Sequence, residues 1–165
     1  MVKKLVILFI LLFMTQSLSS EEFATNFSLK DIEDKEYILY DFIGKNLILF
    51  FWTTWCPYCI RDLLDLEKDY LEFKSKGIEL LSINVGESKE RILRFLERQN
   101  LNFPVLLDRD YRVSQQYDLL GIPTYILIDR NAEIKFCGHY LPKDHSVHFQ
   151  ETDKEESDNT IDNLE

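Results

Sequence analysis

Residues 50–62 read FFWTTWCPYCIRD, and they place two cysteines three positions apart directly after an aromatic, β-prone run. Cys56 and Cys59 can serve as a redox couple, as two metal ligands or as a structural disulfide. A Cys56–Cys59 bond closes a very small loop, so it restrains the unfolded chain weakly and is a poor structural staple. The pair is therefore predicted to have a chemical role.

The pattern after the first cysteine predicts a helix that activates it. Apolar residues recur at helical spacing over Pro57–Ser75, with Cys56 at the N-cap and Pro57 at the first helical position. The free N–H groups and the dipole at a helix start stabilise a thiolate and lower the pKa of a thiol below its free value of ~8.5. Cys59 lies one turn later, at a separation that a disulfide allows. Cys56 is predicted to attack a substrate disulfide and Cys59 to resolve the mixed disulfide.

The flanking segments predict an α/β fold, because buried strands alternate with helices before a closing hairpin. Two continuous apolar runs, residues 47–52 and Ile78–Val85, read as strands buried on both faces of a central mixed β-sheet flanked by helices. The other predicted elements are an N-terminal β-hairpin within residues 27–42, a helix capped by Ser88, a strand over 103–108, a helix near 110–117, a strand over 124–129 and a strand over 133–137.

The bulk composition suits one acidic domain with an export signal. The chain has 165 residues, 45% of them hydrophobic, and a formal net charge of −10, which disfavours a nucleic-acid partner. Residues 1–20 combine two lysines with an apolar run over 5–14, as in a signal peptide or, if uncleaved, a membrane anchor. Residues 21–142 are predicted to form the domain, and residues 143–165 a disordered acidic tail.

A proline far from the cysteines gives a second signal. The sequence GIPT, residues 121–124, places Pro123 before a predicted strand. The Ile122–Pro123 bond can be cis, which would leave the backbone of Ile122 free to pair with an extended substrate peptide. The alternative is an ordinary trans-proline that opens a strand.

FWTTWCPYC and GIPT, together with the strand–helix segment of residues 73–110, resemble the TlpA/ResA-like exported thiol–disulfide oxidoreductases of the thioredoxin superfamily. The resemblance covers about residues 25–140. It implies a thioredoxin-like fold with a central strand–helix insert. It also implies a protein-disulfide reductase, periplasmic or on the outer face of the cytoplasmic membrane, that uses a redox-active disulfide and no metal or organic cofactor. The implied partners are a disulfide-containing protein, such as apocytochrome c in cytochrome c maturation, and a membrane thiol-transfer protein.

The resemblance also carries over one acid. Asp62 stands three positions after the second cysteine, where ResA-like members have a carboxylate, and it is predicted to assist proton transfer. The alternative is a solvated acid in the first helical turn, favoured by the dipole. Phe50 occupies the position of the buried aspartate of ordinary thioredoxins. The predicted substrate contacts are Trp55, Pro57, Tyr58, Ile122 and Pro123.

Two features of the sequence depart from the family pattern, and the sequence also allows two rival functions. No amphipathic pattern follows residue 142 to form the closing helix of the family. The Pro57-Tyr58 dipeptide matches glutaredoxins, so the direction of electron flow is not fixed.

A zinc or copper site is one rival function, with Cys137 and His139 joining the cysteine pair, although Cys137 is expected to be a small buried residue. A peroxiredoxin-type peroxidase is another. Thr53 matches the threonine of P-x-x-x-T-x-x-C, but Leu49 replaces its proline.

Overall fold

The computed structural model describes residues 22–149. The predicted signal peptide or anchor, residues 1–20, and residues 150–165 of the predicted acidic tail lie outside the described residues. Within residues 22–149, no helix combines the length and the apolar character that crossing a membrane requires.

A five-stranded mixed sheet forms the centre of the molecule, in the order β5-β4-β3-β6-β7. Strand β4 runs parallel to β3 and β5, whereas β6 is antiparallel to β3 and β7 is antiparallel to β6. The strands of this sheet are β3 (Asn46–Trp52), β4 (Ile78–Val85), β5 (Val105–Asp108), β6 (Thr124–Ile128) and β7 (Ile134–Gly138). A separate hairpin consists of β1 (Ser28–Lys30) and β2 (Glu36–Ile38). The predicted mixed sheet and N-terminal hairpin are confirmed.

Helices cover the sheet. The α-helices are α1 (Pro57–Ser75), α2 (Lys89–Leu96) and α3 (Arg112–Gln116), and two 3-10 helices are η1 (Leu39–Phe42) and η2 (His145–Phe149). Helices α1 and α2 contribute to the hydrophobic core on one face of the sheet. The N-terminal hairpin, η1 and α3 contribute to the core on the other face. The predicted α/β class is therefore confirmed.

Strand β3 divides its side chains between these two cores. All seven of its residues are buried. Ile48, Phe50 and Trp52 join the core under α1, while alternate residues join the core under the hairpin. This period of two is what a central strand with both faces covered requires. The chain leaves the end of β3 directly into the loop that carries the cysteines.

Helix α1 has the bounds that the sequence predicts. Cys56 has extended backbone angles at the N-cap, and Pro57 is the first helical residue. At the other end, Gly77 adopts a positive φ of 69°, a conformation that favours glycine and ends the helix. The buried face of α1 consists of Cys59, Leu63, Leu66, Tyr70 and Phe73.

Several elements differ from their predicted bounds, and the two largest differences are the starts of β5 and α3. Strand β5 begins at Val105 rather than at residue 103, and α3 begins at Arg112 rather than near residue 110. Tyr111 has a positive φ of 60° at the N-cap of α3, so a right-handed helix cannot include it. The local pattern of apolar residues carries no sign of this turn.

The C-terminal segment is ordered further than the predicted domain boundary. Helix η2 lies within residues 143–165, the predicted disordered tail, and continues the ordered chain to Phe149. The Phe149 ring is 8% exposed and belongs to the core under α1. The ring of His145 packs edge-on against Phe73, with 5.2 Å between centroids. Burial of one aromatic side chain therefore fixes a segment whose composition is otherwise polar.

Candidate redox site

The two cysteines form a disulfide at the start of α1. Cys56 and Cys59 are bonded, with their Cα atoms 5.2 Å apart. The backbone N–H of Cys59 donates a hydrogen bond to Cys56 Sγ at 3.2 Å, so Cys56 caps the helix through its sulfur, as predicted. Cys56 is 5% exposed and Cys59 is fully buried. Cys56 is therefore the more accessible of the two sulfurs, and the roles of attacking and resolving cysteine stay predictions.

Exposed aromatic and apolar residues surround the disulfide. Trp55, Pro57 and Tyr58 all lie at the surface. The guanidinium of Arg61 lies over the Tyr58 ring, 5.5 Å from its centroid. Trp55 lines a cavity of about 590 Å³, and Tyr58 lines a second cavity of about 750 Å³. The predicted substrate contacts on α1 and its preceding loop are thus accessible to a partner.

The loop before β6 lies between the same two cavities. The Ile122–Pro123 peptide bond is cis, as the sequence predicted. Ile122 lines the cavity that contains Trp55, and Pro123 lines the cavity that contains Tyr58. His139 Nδ1 lies 2.8 Å from the Pro123 carbonyl oxygen. The structure therefore brings the predicted contacts of the two distant segments to one surface.

The Asp62 side chain is held by two neighbouring side chains and is largely shielded from solvent. It lies in the second turn of α1, and its side chain is 15% exposed. The Tyr125 hydroxyl donates to Asp62 Oδ2 at 3.0 Å, and Arg61 pairs with Oδ1 at 3.2 Å. The expected alternative of a solvated acid in the first turn is therefore wrong. Residue 62 is adjacent to residue 59 on the helix surface, so the carboxylate shares the face of Cys59.

Tyr125 connects this acid to the core. Burial, and then the charge of Asp62, raise the pKa of the Tyr125 phenol. The hydroxyl consequently keeps its proton and acts as the donor to the carboxylate. The Tyr125 ring packs on Phe50 with 4.7 Å between centroids. Where ordinary thioredoxins carry an acid, this protein has an aromatic pair that supports an acid on α1.

Sequence reasoning missed a buried acid that contacts the cysteine loop, Glu87. Its side chain is 6% exposed and accepts hydrogen bonds from Thr54 and Asn84. Arg91 forms an ion pair with it at 2.7 Å. Its position offered a signal, because Glu87 closely follows β4, and the carboxyl ends of the parallel strands β3 and β4 lie at the same edge of the sheet.

The four residues of the rival metal site, Cys56, Cys59, Cys137 and His139, do not form a ligand group in the described part of the chain. Among residues 22–149, no group of three or more His, Cys, Asp and Glu side chains is placed to hold a metal ion. Cys137 is exposed on β7, so the expectation that it is buried is wrong. Its sulfur is nevertheless partly desolvated, and this burial, with the charge of Glu22, raises the pKa of the thiol. β7 lies at the edge of the sheet, where one side chain of a strand is easily left uncovered.

Comparisons with known proteins agree with this architecture. The AhpC/TSA family model matches residues 21–137. The ResA thiol–disulfide oxidoreductase of Geobacillus kaustophilus is 40% identical over 112 residues, which cover 68% of this chain and 64% of the relative. ResA of Bacillus subtilis is 39% identical over 119 residues, 72% of this chain and 66% of the relative. The chain thus spans slightly less than two thirds of the length of these relatives.

Solved structures show the same fold. StoA from Bacillus subtilis superposes with a TM-score of 0.62 at 27% identity, covering 70% of this chain and 87% of StoA. The thioredoxin domain of a thiol-disulfide oxidoreductase from Bacteroides vulgatus gives a TM-score of 0.63 at 26% identity, covering 72% and 86% of the two chains. The predicted thioredoxin-like fold and the predicted ResA/TlpA-like resemblance are confirmed. The chain belongs to the AhpC/TSA family, and within it is similar to the ResA thiol–disulfide oxidoreductases.

Proposed function

We propose that this protein is an exported thiol–disulfide oxidoreductase that reduces protein disulfides with the Cys56–Cys59 pair. The observation that carries the proposal is the position of Cys56, whose sulfur caps α1 and accepts the Cys59 N–H at a surface rich in exposed aromatic residues. The names of the ResA relatives support the same chemistry.

The reaction is a two-step exchange. The Cys56 thiolate attacks one sulfur of the substrate disulfide, and the other substrate sulfur leaves as a thiolate. The Cys59 thiolate then attacks Cys56 Sγ, re-forms the intramolecular disulfide and releases the second substrate thiolate. Two electrons pass from the dithiol to the substrate, and the sulfurs carry them without a metal or an organic cofactor. The Cys59 N–H stabilises Cys56 whenever its sulfur is a thiolate.

Asp62 takes the proton in the second step. Cys59 is fully buried, so its thiol needs an internal acceptor before it can attack. Asp62 lies one turn further along α1, held by Tyr125 and Arg61. Trp55, Pro57 and Tyr58 contact the substrate on one side, and the Ile122–Pro123 loop contacts it on the other.

The setting of the reaction follows from the N-terminus and the family. Residues 1–20 direct the chain to the periplasm or the outer face of the cytoplasmic membrane. A membrane thiol-transfer protein reduces the Cys56–Cys59 disulfide there, and the reduced protein acts on apocytochrome c during cytochrome c maturation. The sequence pattern of residues 1–20 and the likeness to ResA support this assignment.

Insulin reduction tests the proposal. With dithiothreitol as the electron donor, the protein accelerates precipitation of the insulin B chain, and Cys56→Ser abolishes the acceleration. Cys137→Ser is the matched control, because Cys137 lies on β7 outside the site, and it retains full activity. Activity of Cys56→Ser equal to that of the control contradicts the mechanism. A reduction potential near about −270 mV or lower supports a reductant, and one near about −120 mV refutes that direction.

Peroxide reduction is the second candidate, favoured by the AhpC/TSA family match and by Thr53. The Thr53 side chain is buried, and within residues 22–149 its hydroxyl has no hydrogen-bond partner. Measuring consumption of hydrogen peroxide by the reduced protein separates the two functions. Rapid peroxide consumption together with no insulin reduction replaces the first proposal by the second.

A further inference from the structure

Glu87 is a buried carboxylate whose two oxygens are both fully engaged. Oε2 accepts the backbone N–H of Thr54 at 2.6 Å and the amide of Asn84 at 2.8 Å. Oε1 accepts the Thr54 hydroxyl at 2.7 Å and pairs with Arg91 Nε at 2.7 Å. Four hydrogen-bond and ion-pair donors on its two oxygens fix the carboxylate in one place. Glu87 therefore suits the role of a fixed anchor better than that of a proton carrier.

The anchored segment is the loop between β3 and α1. Thr54 lies two residues before Cys56, and Glu87 holds it through both its backbone and its side chain. Within the loop itself, the Cys56 N–H to Thr53 oxygen bond is long, at 3.4 Å. The strongest restraints on the approach to Cys56 thus come from a residue 33 positions away in the chain.

The anchor itself rests on rigid elements. Asn84 belongs to β4 and is fully buried. Arg91 lies in the first turn of α2, where its N–H is capped by Ser88 Oγ at 3.3 Å, and its Nε also lies 3.1 Å from the Thr54 hydroxyl oxygen. The next residue, Ile92, is fully buried in the core and fixes α2 on the sheet. The end of β4 therefore contacts the cysteine loop through the Glu87 carboxylate, and the start of α2 contacts it through Glu87 and directly through Arg91.

We propose that Glu87 is a positioning residue that holds the Thr53–Trp55 loop, so that Cys56 stays at the N-cap of α1. Glu87 belongs to the inserted strand–helix segment, between β4 and α2, so this segment fixes the geometry of the reacting sulfur. The inference rests on the proposed function only in taking Cys56 as the reacting thiol. Its test needs no protein substrate, so the two proposals fail separately.

An electrostatic role and a positioning role of Glu87 predict opposite changes in the thiolate fraction of Cys56 when Glu87 is removed. If Glu87 acted on Cys56 as a nearby negative charge, its removal would favour the thiolate. Other charged side chains near the loop include Arg91 on α2, the Arg61–Asp62 pair on α1, and Asp118, which lines the same cavity as Thr53, Trp55 and Glu87. If Glu87 acts by position, its removal loosens the N-cap and disfavours the thiolate. The sign of the change therefore separates the two roles.

Alkylation of the reduced full-length protein measures that sign. The rate of iodoacetamide addition to Cys56 is followed by peptide mass spectrometry between about pH 5 and 9, beside the free energy of unfolding. In Glu87→Gln the side-chain amide cannot accept from all the donors, and we expect the alkylation midpoint to rise and the rate at pH 7 to fall about fivefold. The matched control is Glu97→Gln, an exposed acid just after α2, for which the profile stays unchanged.

A second pair of variants preserves every charge. Thr54→Val removes the hydroxyl that Glu87 binds and shifts the midpoint upward by a smaller amount, whereas Thr54→Ser keeps the hydroxyl and restores the wild-type profile. If Glu87→Gln leaves the midpoint unchanged or lowers it, the proposal is overturned, even when stability falls. If Glu87→Gln does not fold, an unchanged midpoint in Thr54→Val overturns it. An inactive wild-type protein with a normal alkylation profile contradicts only the proposed function.

Discussion

Replacing Tyr125 with phenylalanine removes a single oxygen atom from the core beside the disulfide. The ring keeps its tilted packing against Phe50, because that contact does not involve the hydroxyl. The lost atom is the donor of the 3.0 Å hydrogen bond to Asp62 Oδ2. The substitution therefore isolates one polar contact between β6 and α1.

The size of the effect follows from the two partners. A hydrogen bond to a charged group contributes about 1.5–3 kcal/mol to stability. Asp62 keeps its ion pair with Arg61, and its side chain is 15% exposed to water. The carboxylate therefore loses only one of its partners in the variant. We expect the free energy of unfolding at pH 7 to fall by about 1.5 kcal/mol, at the lower end of that range.

The same variant changes the pH dependence at the alkaline end. Burial and the Asp62 charge raise the pKa of Tyr125 above its ordinary value of 10.0. Below about pH 10 the phenol is protonated in both states, and above it only the folded state retains the proton, so stability falls as pH rises. Removing the phenol makes this fall shallower by about 1.4 kcal/mol per pH unit. Tyr117, whose pKa burial also raises, still contributes in the variant.

Urea titrations at pH 7 and at several values between about pH 9 and 11 measure both quantities. Tyr140→Phe is the matched control, because Tyr140 is exposed and its hydroxyl should change neither the stability nor the slope. A variant at Tyr125 that keeps the wild-type alkaline slope would refute the reasoning, since the buried phenol would then not be the group that holds the proton.

Two further substitutions test the packing around the site. Phe149→Ala removes a ring that is 8% exposed in the core, and it should lower the free energy of unfolding by about 3 kcal/mol. Val147→Ala, at an exposed position, should lower it by less than about 0.5 kcal/mol. Equal losses in urea titrations would show that Phe149 does not pack in the core. Gly86→Ala places a Cβ against the exposed end of the Tyr111 ring at a φ of +70°. The ring can move aside, so the variant should lose ~1–2 kcal/mol, the left-handed strain that Gly77→Ala incurs in open space. Thermal unfolding compares the two variants, and a much lower melting temperature for Gly86→Ala than for Gly77→Ala would show that the Tyr111 ring cannot move aside.

Local signals account for the elements that the sequence predicted well. Helix α1 is bounded by a cysteine cap with Pro57 at its first position and by Gly77 after its end, and each of these signals acts within a few residues. Strand β3 is predictable because a central strand with both faces buried needs an unbroken apolar run. The cysteine pair was predictable for the same reason, because the N-cap, the start of the helix and both cysteines lie within residues 56–59.

The missed features depend on contacts between distant segments. Glu87 meets Thr54 only after β3 and β4 are paired, and no local pattern marks that meeting. Cys137 resembles a buried small residue in sequence, but it sits on the edge strand, whose burial depends on what covers it. The left-handed turn at Tyr111 likewise comes with close packing of its ring over Gly86, which the sequence does not indicate.

The central place of β3 has a consequence for the motions near the cysteines. β3 is hydrogen-bonded to β4 on one side and to β6 on the other, so its backbone amides can meet solvent only when most of the sheet opens. β7 is hydrogen-bonded to β6 along one side and lies at the sheet edge, so it can open in small local fluctuations. Because the disulfide follows β3, local opening at the C-terminal edge of the sheet leaves Cys56 and Cys59 in place.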